Sequence, residues 1–237
     1  MPSGGHPYED LATTARTLLG RANGSWRSLA GRLELWEDEA WLDKGRARYH
    51  GSPASQVPSA DEPKGLAYRF VIASEPWRVR MVLVWSRRSP HADSDPDLLV
   101  VRGATWWART GEILVTNDGD SRSSHGLYYL DLLTQPAGLA DSLAYISGAQ
   151  AAEEDRPVIR VNAAPTEVTR LRAPSLVVLS ANRYELDVDA GLGILRRVRC
   201  LIGDRLARQV MLRELRVNPP IDETDFAPPL ASCLPPK

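Results

Sequence analysis

Alternation of apolar and polar residues with a period of two recurs along most of this chain, and it constrains the fold more than any other feature. The segment 66–72 shows the pattern clearly, with apolar side chains at Leu66, Tyr68, Phe70 and Ile72. A strand buried on one face has this spacing because its successive side chains point to opposite faces. After a turn at Glu75-Pro76 the alternation resumes through 77–86, which predicts an antiparallel hairpin with one solvated face.

The same reasoning predicts about ten strands in all. They are expected at 29–36, 66–72, 77–86, 98–102, 105–109, 113–116, 158–163, 176–180, 183–188, 194–200 and 206–217. Short turns separate many of them, so neighbouring strands should pair in sequence order. A sheet of this size curls because the twist of its strands accumulates. We therefore predict a mainly β protein of the α+β class, with a single strongly curved antiparallel sheet and helices against one face.

Two segments have helical spacing instead. In 8–21 the apolar residues fall at i, i+4, i+7 and i+8, which predicts an amphipathic helix that ends at Asn23-Gly24. The second segment, 127–147, has Pro136 near a helix start and Gly148 as a stop signal. Its apolar residues at helical spacing are Leu130, Leu133, Leu139, Leu143 and Ile146.

The charge balance argues against nucleic acid as a partner. The 237 residues include 29 Lys+Arg and 30 Asp+Glu, so the chain has no excess positive field to attract phosphates. No apolar run approaches the roughly 18 residues that would span a bilayer, and residues 1–7 lack the pattern of an export signal. We expect a cytoplasmic protein as the sequence stands, or alternatively an exported mature form.

We expect one domain over 1–237, since neither an internal repeat nor a linker divides the chain. Residues 1–7 and 227–237 are rich in proline and small residues, which predicts loose tails, and 50–64 is predicted to be a mobile loop. Two cysteines, Cys200 and Cys233, are too few for a disulfide framework or a structural zinc site.

The carboxyl-terminal third resembles a known family. The segments that carry the resemblance are Tyr184-Glu185-Leu186-Asp187-Val188-Asp189, Gly193-Ile194-Leu195-Arg196-Arg197, Leu215-Arg216-Val217-Asn218-Pro219-Pro220-Ile221-Asp222 and Phe226-Ala227-Pro228-Pro229. They resemble the closing strands of the LolA-like superfamily, which includes lipoprotein carriers, the amino-terminal domain of RseB-type sigma-factor regulators and many actinobacterial proteins. The resemblance implies an unclosed barrel, with helices on its concave face as a lid over an apolar cavity for acyl chains or a hydrophobic protein segment.

Residues suited to catalysis are few. The four histidines, His6, His50, His91 and His125, all fall in predicted loops or tails, and none lies beside a plausible nucleophile. The chain also lacks the sequence motifs of metalloproteases, hydrolases, P-loop proteins and dinucleotide-binding proteins. We predict no catalytic residues, no metal site and no cofactor.

The charged clusters on the predicted strands have a functional and a structural interpretation. Glu185, Asp187 and Asp189 alternate on one strand and could hold calcium or act as an acid/base pair, but a solvated face followed by a turn explains them better. The segment Asn117-Asp118-Gly119-Asp120 is interpreted as a tight turn. A solvated outer face also explains the arginines of the last strands better than an anionic head group does: Arg196, Arg197, Arg199, Arg205, Arg208, Arg213 and Arg216.

The aromatic composition directs attention to one face of the sheet. Seven tryptophans accompany only two phenylalanines, and Trp77 and Trp85 fall on the predicted apolar face of Tyr68 and Phe70. Indoles there could line a ligand cavity and offer one N–H donor to an apolar ligand, or could simply fill the core.

Together these patterns favour a binding protein without enzymatic activity, whose ligand is a lipid, an acyl chain or another hydrophobic small molecule. The residues predicted to line the site are Tyr68, Phe70, Trp77, Met81, Leu83 and Trp85 on the sheet, and Leu130, Leu133, Leu139, Leu143 and Ile146 on the helical lid. A protein-interaction module of RseB type with a filled cavity is the main alternative. An enzyme that acts on a hydrophobic substrate inside the barrel is the third.

Overall fold

A computed structural model describes residues 7–22, 24–38, 40–42, 64–87, 96–118, 125–167 and 181–229. The strands of this part are β1 Ser28–Glu37, β2 Lys64–Ala73, β3 Arg78–Arg87, β4 Leu98–Arg102, β5 Thr105–Thr110, β6 Ile113–Asp118, β7 Leu143–Glu153, β8 Arg156–Pro165, β9 Arg183–Asp189, β10 Leu195–Ile202 and β11 Arg205–Val217. The helices are α1 Pro7–Gly20, α2 His125–Thr134 and α3 Ala137–Ala140, followed near the carboxyl terminus by a 3₁₀ helix, Glu223–Phe226.

All the described strands join one antiparallel sheet in the order β6-β5-β4-β3-β2-β1-β11-β10-β9-β8-β7. The first and last strands meet in the middle, because β1 pairs with β2 on one side and with β11 on the other. Strands β6 and β7 form the two ends, so the sheet is not closed. The predicted mainly β, unclosed antiparallel sheet is confirmed.

One face of the sheet, which we call the inner face, carries the apolar core. Helix α1 packs on β7, β8 and β9, and α2 packs on β10 and β11. Two glycines let α1 approach closely: a Cβ at Gly148 would lie 2.9 Å from the backbone nitrogen of Ala12, and one at Gly193 would lie 2.2 Å from the carbonyl oxygen of Leu18. Gly193 also has a φ of +71°, which strains residues with a side chain.

The prediction of one helical segment over 127–147 is wrong beyond residue 140. Leu143 and Ile146 belong to strand β7, and Gly148 lies inside that strand rather than ending a helix. Their spacing from Leu139 fits a helix by coincidence, whereas small residues predominate in 147–152 of this extended edge strand. Asn117 and Asp118, predicted to form a turn, are likewise the last residues of β6.

The opposite, outer face is partly covered by the carboxyl-terminal segment. The 3₁₀ helix packs on β3 and β4, where the Phe226 ring is fully buried and lies 4.8 Å from the Arg78 guanidinium carbon. Val100 of β4 is buried on this face as a result.

Several predictions fall wholly or partly on residues outside the described part of the chain. The predicted strand 176–180, Cys233, His6, His50 and His91 are outside it, as are most of the predicted tails and of the loop 50–64. Within it, Pro7 begins α1, Lys64 begins β2 and His125 begins α2.

Candidate functional site

Most of the residues predicted to line a ligand site meet on the inner face. Seven of them are buried in one continuous core: Tyr68, Phe70, Met81, Leu130, Leu133, Leu139 and Leu143. Trp77 and Leu83 are partly buried against that core. Trp77 lies in the turn before β3 rather than in a strand, with its ring 6.5 Å from that of Trp26. A ligand-binding role for these residues remains a prediction.

Trp85 does not share the inner face, contrary to the alternation of the sequence. Tyr68 pairs with Leu83, but the preceding residue of β2, Ala67, pairs with Trp85. Val84 is therefore an extra residue in β3, a β-bulge that reverses the facing of everything after it. The Trp85 side chain lies on the outer face and is 50% exposed.

The apolar inner face continues beyond the strands that the helices cover. Cross-strand pairing connects buried Met81 to Leu99, Leu99 to Ala108 and Ala108 to Val115, and paired residues of antiparallel strands share a face. Val115 is nevertheless 48% exposed, and Ile113 on the same face is 68% exposed. Strands β5 and β6 thus present an accessible apolar surface, which we call the inner shelf: Trp106, Ala108, Ile113 and Val115.

Strand β6 is exposed on both faces. Leu114 points to the outer face and is 37% exposed, so Ile113, Leu114 and Val115 are three consecutive exposed apolar residues at the end of the sheet. Ile146 of β7 is also exposed, at 61%, where a bulge between Tyr145 and Ser147 interrupts the pairing with β8.

The candidate carboxylates on β9 are engaged by arginines. The Arg160 guanidinium donates two hydrogen bonds to Asp187, at 2.8 and 3.1 Å, and Arg197 pairs with the same carboxylate. These bonds raise the pKa of Arg160. Asp187 and Asp189 are buried, so the solvated face predicted for Asp187 is wrong. Since guanidinium donors occupy the Asp187 oxygens, we assign the Asp187 carboxylate a structural role.

Asp189 combines an ion pair with the predicted turn. Its Oδ2 accepts a hydrogen bond from Arg156 at 2.8 Å, while Oδ1 accepts from the amides of Gly191 and Leu192 at 3.0 Å each. The turn after β9 therefore forms around this carboxylate, as expected for aspartate before a glycine-containing turn.

Comparisons with known proteins identify the fold. No family model and no curated protein matches the sequence, but solved structures do. MucB covers 94% of this chain with a TM-score of 0.52 and 13% identity, and this chain spans 64% of MucB. The Mycobacterium tuberculosis lipoprotein LppX covers 90% of this chain with a TM-score of 0.51 and 8% identity, and 98% of LppX is matched. LprF from Mycobacterium bovis covers 92% of this chain with a TM-score of 0.52 and 10% identity, and 97% of LprF is matched. The chain has the LolA-like fold. At these identities the likeness concerns the fold alone.

The solvated outer face predicted for the arginines of the last strands is wrong for Arg196 and Arg208, which are buried. Sequence reasoning thus missed the polar cluster around Arg208 inside this LolA-like sheet. Glu37 of β1 and Arg208 of β11 are cross-strand partners that form an ion pair, and the Arg208 guanidinium carbon lies 5.7 Å from the centre of the Tyr129 ring. In the alternating pattern of β11, Arg208 interrupts an apolar series formed by Leu206, Val210 and Leu212. On the inner face of β1, Glu37 ends the apolar series of Leu33 and Leu35. Two oppositely charged residues that interrupt apolar strand faces are the sequence signal that indicates such a cluster.

The same cluster holds groups that burial keeps protonated. Burial raises the pKa of the Cys200 thiol from 9.0 to about 12, despite the opposing charge of Arg208, and burial also raises the pKa of Tyr129. A nucleophile needs a lowered pKa or a neighbouring base, so the cluster is suited to a structural role.

Among the helices that the structure describes, none has the length and apolar character needed to cross a bilayer.

Proposed function

We propose that this protein binds a hydrophobic ligand, such as an acyl chain or lipid, without catalysing a reaction, and that the ligand lies against the inner shelf. The exposure of Ile113 and Val115 on the face that elsewhere forms the core carries this proposal. Apolar area removed from water contributes roughly 25 cal/mol per Å2 before ordering costs are subtracted. An apolar ligand would extend the existing core across β5 and β6.

Trp106 adds a feature suited to a ligand with a polar end. Its indole nitrogen is buried and has no hydrogen-bond partner in the described part of the chain. An unsatisfied buried donor costs about 1–3 kcal/mol. A ligand oxygen that reaches this N–H would recover part of that cost and fix the orientation of the ligand.

Partner binding in the manner of an RseB-type regulator is the second candidate, and the exposed strand β6 favours it. An apolar edge strand is a template for strand addition by another chain. Pseudomonas aeruginosa MucB has been solved in a complex with MucA, which supports a partner as an alternative to a small molecule. LppX is a lipoprotein, and this supports the exported location for the present chain.

Native mass spectrometry of protein purified from its own source, followed by organic extraction, tests the first candidate. We expect a stoichiometric apolar molecule in the wild type and its loss in the double variant Ile113→Asp/Val115→Asp. Thr116→Asp is the matched control, since Thr116 lies on the same strand but on the outer face and is also exposed.

An empty wild type would contradict the first candidate if its tryptophan fluorescence were also unchanged by fatty acids, isoprenoids and polyketides. Partner binding would then become the leading function, and Leu114→Lys should weaken it, because a charge on an edge strand opposes strand addition.

A further inference from the structure

The outer face carries a groove that is separate from the inner shelf. Its volume is about 510 Å3, and its walls include Trp36 of β1, Trp85 of β3 and Met211 of β11. Glu34, which also lines it, pairs with Met211 and Ala67, whereas its neighbour Leu33 pairs with Tyr68 of the core. The groove and the core therefore lie on opposite faces of the same strands.

Two local features of the sequence build this groove. The bulge at Val84 turns Trp85 onto the outer face. Strand β2 contributes Gly65, Leu66 and Ala67 to the lining, and the two that face outward, Gly65 and Ala67, are small, so the bottom of the groove is low beside its walls. A Cβ at Gly65 would lie 2.5 Å from the Trp85 ring. The indole therefore rests directly on the glycine backbone, which fixes its position despite its exposure.

The polar residues of the groove cancel in charge. Arg32 pairs with Glu34 at 3.0 Å, and these are the only charged residues among its described lining. The Gln209 side-chain amide, which is uncharged, also lines the groove. A charged ligand would therefore gain little, whereas a neutral carbonyl or hydroxyl group could bond to the Gln209 amide.

We propose that this groove binds an uncharged, planar molecule with a fused-ring apolar body and one hydrogen-bonding group. The volume lies within the roughly 300–1,000 Å3 of small-molecule sites. Two indoles and a thioether favour a ring system over a flexible chain, because aromatic faces and methionine sulfur contact rings in preferred geometries. The neutral lining selects against anions such as fatty acids, which distinguishes this ligand class from that proposed for the inner shelf.

Nile red, an uncharged fused-ring dye, is a suitable probe, with 19F NMR of protein labelled with 5-fluorotryptophan as the second readout. We expect saturable dye binding, movement of the Trp36 and Trp85 resonances, and about tenfold weaker binding in Trp85→Ala. Gly65→Val, whose side chain would collide with the indole, should weaken binding similarly. Thr116→Ala is the control, since Thr116 is exposed on the same outer face but does not line the groove.

The inner-shelf variant Ile113→Asp/Val115→Asp separates this proposal from the proposed function. Dye binding that survives in this variant and is weakened by Trp85→Ala supports the groove as a distinct site. Binding lost in the shelf variant but unchanged in Trp85→Ala, or Trp36 and Trp85 resonances that do not move, would overturn the groove proposal and leave the inner shelf untouched. Equal circular-dichroism melting curves for all variants would show that lost binding does not reflect unfolding.

Discussion

The two ends of the sheet are built in opposite ways. At the β7–β8 end, α1 covers the inner face, and the hairpin tip reaches across to the middle of the sheet: Glu154 accepts hydrogen bonds from the buried Arg196 side chain at 2.8 Å and from the Glu214 amide at 2.9 Å. At the β5–β6 end, Ile113, Leu114 and Val115 are exposed. One end is fixed by packing and ion pairs, while the other keeps apolar surface available for binding.

The Glu154 contact depends on an irregularity in β11. The pairing of β1 with β11 shifts between Ala30 and Arg32, and Glu214, opposite that shift, has a φ of +52°. A bulge leaves a backbone amide without its ladder partner, and the Glu154 carboxylate accepts the bond from Glu214. The tip of the β7–β8 hairpin, at the covered end, therefore supplies the hydrogen-bond acceptor for the Glu214 amide in the middle of the sheet.

A lysine placed on the inner face of each end should give the largest difference. Val161→Lys in β8 replaces a fully buried side chain, and we expect a loss of about 4 kcal/mol or more in the free energy of unfolding, since an unpaired charge would be buried. Val115→Lys in β6 should change that free energy by less than about 0.5 kcal/mol. Urea denaturation measures both, and equal losses would contradict the comparison.

Glycine-to-alanine substitutions separate close packing from backbone strain. Gly193 and Gly111 both have positive φ, but only at Gly193 would the new Cβ collide, with the α1 carbonyl of Leu18; at Gly111 it would meet open space. We expect Gly111→Ala to cost about 1–2 kcal/mol and Gly193→Ala about 3 kcal/mol or more. Chemical denaturation of the two variants checks the difference, and a Gly193 variant as stable as the Gly111 variant would show that α1 can move away.

Removing the buried charge at the covered end should have an intermediate effect. Asp187→Asn would leave Arg160 and Arg197 facing a neutral amide, and we expect a loss of about 3 kcal/mol, because breaking a buried pair leaves charges uncompensated. Glu223→Gln, at an ion pair whose carboxylate side chain is 72% exposed, is the control, with an expected change below about 1 kcal/mol. If calorimetry gave the same loss for both, the β9 carboxylates would not be the fixed part of the sheet.

The sequence predicted the strands well and the facing of some residues poorly, and the reasons are local. Alternation located β1, β2 and β3, each of which buries one face, and turn signals delimited β4, β5 and β6. It missed β7, whose small residues at an edge carry little apolar signal, and it misplaced Trp85 because alternation cannot reveal an extra residue such as Val84. The inner shelf consists of residues in correctly predicted strands, but their exposure depends on where the helices pack, which no spacing in β5 or β6 encodes.

The smallest expected effect is a decrease of the free energy of unfolding with pH above pH 9. Its main cause is Cys200 of β10, in the half of the sheet that the helices cover. Below pH 9 the Cys200 thiol is neutral in both the folded and the unfolded state. Between pH 9 and about 12 the thiol loses its proton only in the unfolded chain. The free energy of unfolding therefore falls as pH rises, by up to roughly 1.4 kcal/mol per pH unit. Tyr145, whose pKa burial raises to about 12, acts in the same direction, so Cys200→Ala should reduce the slope without removing it. Val115→Ser at the open end should leave the slope as it is in the wild type. Urea denaturation at pH 8, 9 and 10 measures it, and a slope insensitive to Cys200→Ala would mean that the thiol is not held in the closed core beneath α2.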